Sequence, residues 1–357
     1  MMAAMRTLSL AVLALCAPRS TGFRALSMTL SRKAAHPGNV DGNFFVDHTC
    51  IDCDTCRWMA PKTFGRVSSG GQSVVYSQPA TEEETTKALQ AMVTCPTGSI
   101  RTRKPEKMVK TVRDSFPLAV DSKRIPQVFH LGYASEKSFG AVAYLVTSKT
   151  PEGEPFNILM DSPRFSSHLA KALDAVGGVQ YMVLSHKDDV GDMNRWKERF
   201  PDMQRIMHKV DVRTEHQWPY IDMTGVERQL EGSGPWEVAD GVKIVYTPGH
   251  SQGSVSLIVD GEHTGGDGVA FTGDHLALSA RLGRLDGFAR FSDDTDQQAD
   301  SMAKLADEDI LWILPGHGRR HSFDSALERE EGLRAAAEAY RRDPTGQKAP
   351  GPLFAVV

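Results

Sequence analysis

Short apolar runs alternate with polar, helix-type stretches between about residues 120 and 330. Ala141–Thr147 and Phe156–Met160 predict two strands around a Pro/Gly-rich turn, and Asp161-Ser162-Pro163 ends the second. A helix through Leu173 follows, then a strand Tyr181–Leu184 that runs into Ser185-His186. Trp196 and Phe200 mark another helix, and Arg205–His208 another strand. Val242–Tyr246, Val255–Val259, Val269–Thr272 and Ile310–Leu314 complete the series. Strands alternating with helices predict an α/β domain. Ligand-type polar residues stand where many of these strands end, the usual place for a site in such a fold.

The pattern before residue 105 is different. Phe44–Val46 and Val74–Tyr76 read as short strands, the second after a Gly70-Gly71 turn. Thr81-x-x-Glu84 is a capping box that opens a helix through Met92. Leu89, Met92 and Val93 give that helix an apolar face, and Cys95 emerges at its end. A small α+β domain over residues 41–104 is therefore expected, then a linker over 105–119 and the α/β domain over 120–330. Ser325 to Tyr340, rich in Glu, Arg and Ala, reads as a helix with a solvated charged face. Residues 331–357 are accordingly expected to form a helical tail.

Composition fits two soluble cores: 357 residues, 40% hydrophobic and 24% charged. The first 37 residues depart from it. They hold Arg6, Arg19, Arg24, Arg32 and Lys33 but no acid, with a short apolar run from Leu8 to Cys16. That layout predicts a cleaved leader of the plastid (chloroplast) type, reached by the secretory route, with a mitochondrial presequence as the alternative. The run is too short to span a bilayer. Without the leader the formal charge moves from −4 to about −9, which argues against nucleic-acid binding.

Four of the five cysteines share one pattern: Cys50, Cys53 and Cys56 at C-x2-C-x2-C, then Cys95 followed by Pro96. A compact triplet lets one loop wrap a cubane cluster, and a Pro after the fourth thiolate turns the chain away. A zinc site is the competing reading. The fifth, Cys16, lies in the leader. This segment resembles the small single-cluster ferredoxins. The resemblance implies a 4Fe–4S cluster held by Cys50, Cys53, Cys56 and Cys95, either passing electrons or serving as a structural staple.

The strand ends read, in order, Asp161; His186-Lys187-Asp188-Asp189; Thr247-Pro248-Gly249-His250; Thr272-Gly273-Asp274; and Pro315-Gly316-His317. The series resembles the metallo-β-lactamase superfamily, which implies an αββα sandwich with metals along one edge of paired sheets. The family's first motif, H-x-H-x-D-H, is degenerate here: Asp188 takes the second His position, and Val190 and Gly191 take the Asp and the final His. The second metal site then keeps only His317 and a share of Asp274, unless Asp189 or Asp192 reaches in. The metal ligands expected are His186, His250 and Asp274, with Asp188 as a fourth and His317 in the depleted second site.

Two imidazoles and a carboxylate with open positions suit mononuclear non-heme iron, and they suit zinc as well. Persulfide dioxygenases of the same superfamily hold one iron with the equivalents of His186, His250 and Asp274. Flavodiiron proteins carry a carboxylate where Asp188 sits, but they need a second iron. Asp188 and Asp274 are the candidate proton acceptors, and Asp161 is expected to orient the metal-binding loops. The run Arg281–Phe291 is a candidate lining for an anionic substrate or an ordinary basic surface loop. His208 and His275 are candidates to orient a ligand or simply to pack; His130, His168, His216 and His321 follow no pattern.

Three functions follow from the fusion. The first is a redox enzyme whose cluster feeds a mononuclear metal, with a small-molecule substrate and an electron donor of the ferredoxin or reductase class. The second is a metal-dependent hydrolase of a small thioester, lactone or ester. The third is a non-catalytic electron-transfer or assembly protein.

Overall fold

The computed structural model describes residues 33–67, 71–217 and 220–346. Most of the expected leader, Cys16 within it, and Gly70 lie outside those residues.

Two sheets form the larger domain. The first has seven strands, in the order Arg228–Leu230, Gln204–His208, Tyr181–Val183, Ile158–Met160, Tyr144–Val146, Ile125–His130 and Leu118–Asp121. The second has six, in the order Trp236–Ala239, Val242–Tyr246, Val255–Val259, Val269–Gly273, Trp312–Pro315 and His321–Ser322. Their inner faces meet in one buried cluster, in which Tyr144, Ile158 and Val183 face Leu257, Phe271 and Leu314. Helices Ser167–Ala175 and Met193–Arg199 cover the outside of the first sheet through Leu169, Leu173 and Trp196. Helices Thr295–Lys304 and Ala326–Arg342 cover the outside of the second through Met302, Leu333 and Tyr340. The result is the expected αββα sandwich.

Register brings the strand ends together. Met160 pairs with both Tyr144 and Val183, so Asp161 and Ser185 emerge side by side. Phe271 pairs with Leu314 and Gly273 with Pro315, which sets Asp274 beside Gly316 and His317. The close pass needs glycine. A Cβ at Gly316 would lie 2.8 Å from Asp189 Oδ2, and one at Gly273 2.4 Å from Ser185 Oγ.

The small domain pairs Phe44–Val46 with Ile100–Thr102, and Phe64–Arg66 with Ser73–Val75, around the helix Glu82–Thr94. Thr81 caps that helix by accepting from Glu84 N, and the Glu84 carboxylate accepts in return from Ala80 N. Leu89 and Val93 are buried as the apolar face demanded.

Three expected boundaries move. Ala35 bridges Asp47, His36 N donates to Val46 O, and the Asn39 side chain bonds to Val46 and Val75. Residues 35–40 thus pack with the first domain, although their lack of acids matched the leader. The linker expected over 105–119 contains a helix, Val109–Asp114, with Val112 buried, and the first strand of the large sheet begins at Leu118. The expected tail is a structural layer: Leu333, Ala336 and Tyr340 are buried against the second sheet and its neighbouring helix. A charged outer face hid an apolar inner one.

Candidate functional site

The cysteine cradle is built by loop and helix together. Left-handed backbone at Asp52 and Asp54 coils the loop so that Cys50, Cys53 and Cys56 face one space. Cys95 caps the C-terminal end of the helix Glu82–Thr94 and lines the same space, with Pro96 and Thr97. The space between them, open solvent included, is about 340 Å³. Ser73 N donates to Cys50 Sγ at 3.4 Å, and Ser73 Oγ lies 3.3 Å from Cys56 Sγ. Arg57 and Arg66 clamp Asp52, and Arg57 also clamps Asp54, which stiffens the loop. None of the four cysteines is in a disulfide. Burial pushes the Cys53 thiol up to about 11 and the Cys56 thiol well above its ordinary value. Such thiols ionise when a cation coordinates them, so the cradle fits an iron–sulfur cluster.

The second site stands at the edge of the paired sheets. His186 is buried, with its Nδ1 2.9 Å from Ser185 Oγ, which leaves Nε2 aimed into the pocket. His186 Nε2 is 3.9 Å from Asp188 Oδ2, and the His186 and His250 rings stand edge to face at 4.8 Å. The donor atoms of His186, Asp188 and His250 converge within 4.8 Å of one another, and so do those of His186, Asp189 and Asp274. His186 Nε2, His250 Nδ1, Asp188 Oδ1 and both Asp189 oxygens are buried and accept or donate no hydrogen bond. Stranded buried polar atoms are costly, and a divalent cation among them would satisfy several at once. The residues present fit a metal.

Asp189 enters where the sequence left only a condition. It lies one position before the motif's Asp, yet its Oδ2 is 4.0 Å from both His186 Nδ1 and His317 Nδ1. Burial, then the carboxylates of Asp274, Asp161 and Asp188, raise its pKa. Asp192 does not reach in; it accepts from Lys137 Nζ and Phe165 N.

His317 and Asp274 depart from expectation. His317 Nδ1 lies 2.7 and 2.9 Å from the two Asp274 oxygens, and its Nε2 lies 3.2 Å from the Phe139 carbonyl. Both nitrogens are engaged, so His317 falls outside the two convergent groups. The two convergent triplets share His186, and Asp274 Oδ2 also stays 3.8 Å from His250 Nε2, so Asp274 remains beside both expected histidines. Burial alone would raise the Asp274 carboxyl, but His317, His250 and His186 hold it well below the usual range. Burial raises the Asp188 carboxyl above its ordinary value.

The sequence missed the residue that fastens the loops. Asp211 accepts from Lys187 N at 3.0 Å, Ser251 Oγ at 2.5 Å and Gly253 N at 3.0 Å, locking the His186 loop to the His250 loop. Asp161 accepts from Ser185 N at 2.7 Å, its carboxyl pushed up to about 7 by burial. His275 is buried beside the site and held at about 3 by burial and by His250. His208 stacks on Tyr246 and bonds to Gly232 O, which is packing. Arg281 is tied to the Thr345 and Gly346 carbonyls, while Phe288 stands 6.4 Å from the His317 ring.

Residues 46–102 match the family model for the 4Fe-4S single cluster domain of Ferredoxin I. Metallo-beta-lactamase domain-containing protein 1 of Xenopus laevis is 30% identical over 176 residues, covering 46% of this chain and 67% of that protein. The chain belongs to the metallo-β-lactamase family. Solved structures also align with it. ETHE1 from Myxococcus xanthus does so at 16% identity, over 62% of this chain and 92% of that one, with a TM-score of 0.40. A metallo-β-lactamase from Staphylococcus aureus does so at 18%, over 63% and 67%, with a TM-score of 0.44.

The metallo-β-lactamase domain of this chain has closed the positions where its motif is lost. Val190 is fully buried in the core under the first sheet. Gly191 has φ +37, and a Cβ there would lie 2.4 Å from Ser162 O. A side chain at Gly191 would be strained on that backbone and would crowd Ser162 O.

Proposed function

We propose that this chain is a redox enzyme in which the 4Fe–4S cluster supplies electrons to a mononuclear metal held by His186, Asp188 and His250. The observation that carries the reading is the docking of the cradle onto the metal pocket. Arg319, two residues after His317, ion-pairs through its Nε with Asp54 Oδ2 at 3.4 Å, and Asp54 stands between Cys53 and Cys56. Arg320 lies over the Trp58 ring, in the short helix Thr55–Met59 that Asp54 precedes, at 4.7 Å. A hydrolase has no use for an electron carrier fastened beside its metal.

When bound, the metal would supply a Lewis-acidic, electron-accepting position for an oxygen, sulfur or small organic substrate. Ser185 fixes the His186 ring so that Nε2 faces the pocket, and Asp211 keeps the two histidine loops at a set spacing. Asp188 Oδ1, buried and free of hydrogen bonds, is placed to take or return a proton beside His186. The acid-free leader supports a plastid as the place of work. A ferredoxin-class protein is the electron donor we infer.

The test is anaerobic reduction of the full chain with dithionite, followed by Mössbauer and EPR spectroscopy of cluster and pocket metal separately. The reading expects pocket iron that becomes ferrous when the cluster is reduced. A pocket holding only zinc, indifferent to the state of the cluster, contradicts it. Hydrolysis of a small thioester, lactone or ester is the second reading, favoured by the unbonded Asp188 carboxylate beside the open His186 nitrogen. Undiminished ester turnover after removal of the cluster would favour it.

A further inference from the structure

One turn touches both sites. The short 3-10 helix Glu136–Ser138 ends in Phe139 at φ 49 and Gly140 at φ 90. On one side, a Cβ at Gly140 would lie 2.8 Å from Cys53 Cβ, 3.1 Å from Cys53 Sγ and 3.1 Å from Pro96 Cγ. Gly140 is therefore pressed against one cluster ligand and the residue following another. On the other side, the Phe139 carbonyl accepts from His317 Nε2 at 3.2 Å, and His317 Nδ1 holds Asp274.

The turn is fixed at both ends. Gly140 N bonds to Ser135 O and Ala141 N to Ser138 O. Val142 N donates to Gly316 O at 2.7 Å beside His317, and Ala134 N to Thr94 O at 3.1 Å beside Cys95. Only a residue without a side chain leaves room for this contact. The positive φ requires glycine as well.

We propose that this turn is the electron path between the two centres. It runs from the Cys53 sulfur across van der Waals contact to Gly140, through one peptide to the Phe139 carbonyl, over the hydrogen bond to His317 and Asp274, and from Asp274 Oδ2 across 3.8 Å to His250 Nε2 at the metal pocket. The path rests on the redox reading above. With both groups bound, one electron would pass from a reduced cluster held by Cys50, Cys53, Cys56 and Cys95 to a ferric ion held by His186, Asp188 and His250, leaving that ion ferrous and the cluster oxidised, and a ferredoxin-class donor would restore the cluster. No bond is made or broken. Contact, covalent and hydrogen-bonded links replace open space from Cys53 as far as Asp274, which is what favours fast transfer.

The test uses the full chain with its cluster assembled anaerobically. Cobalt(II) in the pocket reports adjacency whatever the natural metal, because a nearby paramagnet speeds spin relaxation of the reduced cluster. Enhanced relaxation of the cluster EPR signal is expected, and its absence overturns the path. With iron in the pocket, stopped-flow mixing then follows its reduction by the cluster. His317→Leu removes the relay without touching the cradle, and Gly140→Ala forces Cys53 away. Each is expected to slow transfer on the order of tenfold or more, with cluster absorbance unchanged in the His317 variant. Unchanged rates in variants that keep both metals place the route elsewhere. Iron that never responds to the cluster, even though cobalt shows adjacency, sinks the redox reading and the path together.

Discussion

The Asp211 carboxylate accepts the Ser251 hydroxyl at 2.5 Å, and so one side chain binds the loop of His250 to the loop of His186. Asp211 touches neither ring. Removing it strands Lys187 N and Gly253 N, leaves Ser251 Oγ only its bond to Ser254 Oγ, and frees the two histidines to drift apart. Asp211→Ala is expected to weaken metal binding about 10–100-fold, the usual cost of losing a partner that orients ligands. Competition with a chromophoric chelator measures it, and cluster absorbance should not change.

Asp189 is the strained member of the site. Its oxygens are buried without hydrogen bonds, and Asp274, Asp161 and Asp188 crowd it with like charge. The folded-state pKa is raised above the unfolded one, so the folded chain holds this proton longer. Stability is then lost as pH rises past the ordinary carboxylate range, unless a cation is present. Metal-free Asp189→Asn should match the parent near pH 4 and exceed it by about 1–3 kcal/mol at neutral pH. Urea unfolding of the metal-free proteins across that range checks the sign. A variant that loses stability relative to the parent as pH rises contradicts it.

Restoring the family motif should fail. A side chain at Gly191 meets Ser162 O at 2.4 Å and sits on backbone of positive φ. Gly191→His is expected to lower the melting temperature and to bind no additional metal, measured by calorimetry and elemental analysis.

The C-terminal helix belongs to the core. Leu333 is fully buried against the second sheet's outer layer. Leu333→Ala should destabilise the fold by about 2–5 kcal/mol. A solvated tail would tolerate the change, and denaturant titration separates the two outcomes.

Local signals carried much of this architecture. Val242–Tyr246 and Val255–Val259 are strands to the residue, because β-branched runs bounded by Gly, Asp and Pro leave little choice. Cys50, Cys53, Cys56 and Cys95 line one space as their spacing implied. Non-local geometry was illegible. Asp189 reaches the metal pocket because the backbone folds tightly at Val190-Gly191, which a motif alignment cannot register. His317 is turned away by a carbonyl 178 residues earlier. Asp211 looks like any loop acid until the fold brings Ser251 and Gly253 to it. Ile125–His130 contains Pro126, which masked a strand of the large sheet.

Whether one chain holds a cubane and a single pocket cation is decided by counting iron, zinc and acid-labile sulfide on anaerobically purified full chain. About four sulfides per chain with the iron of one cubane, and about one further metal ion, are expected. That further ion should be lost when His186 and His250 are replaced. Absence of sulfide, or two pocket cations per chain, would contradict that expectation.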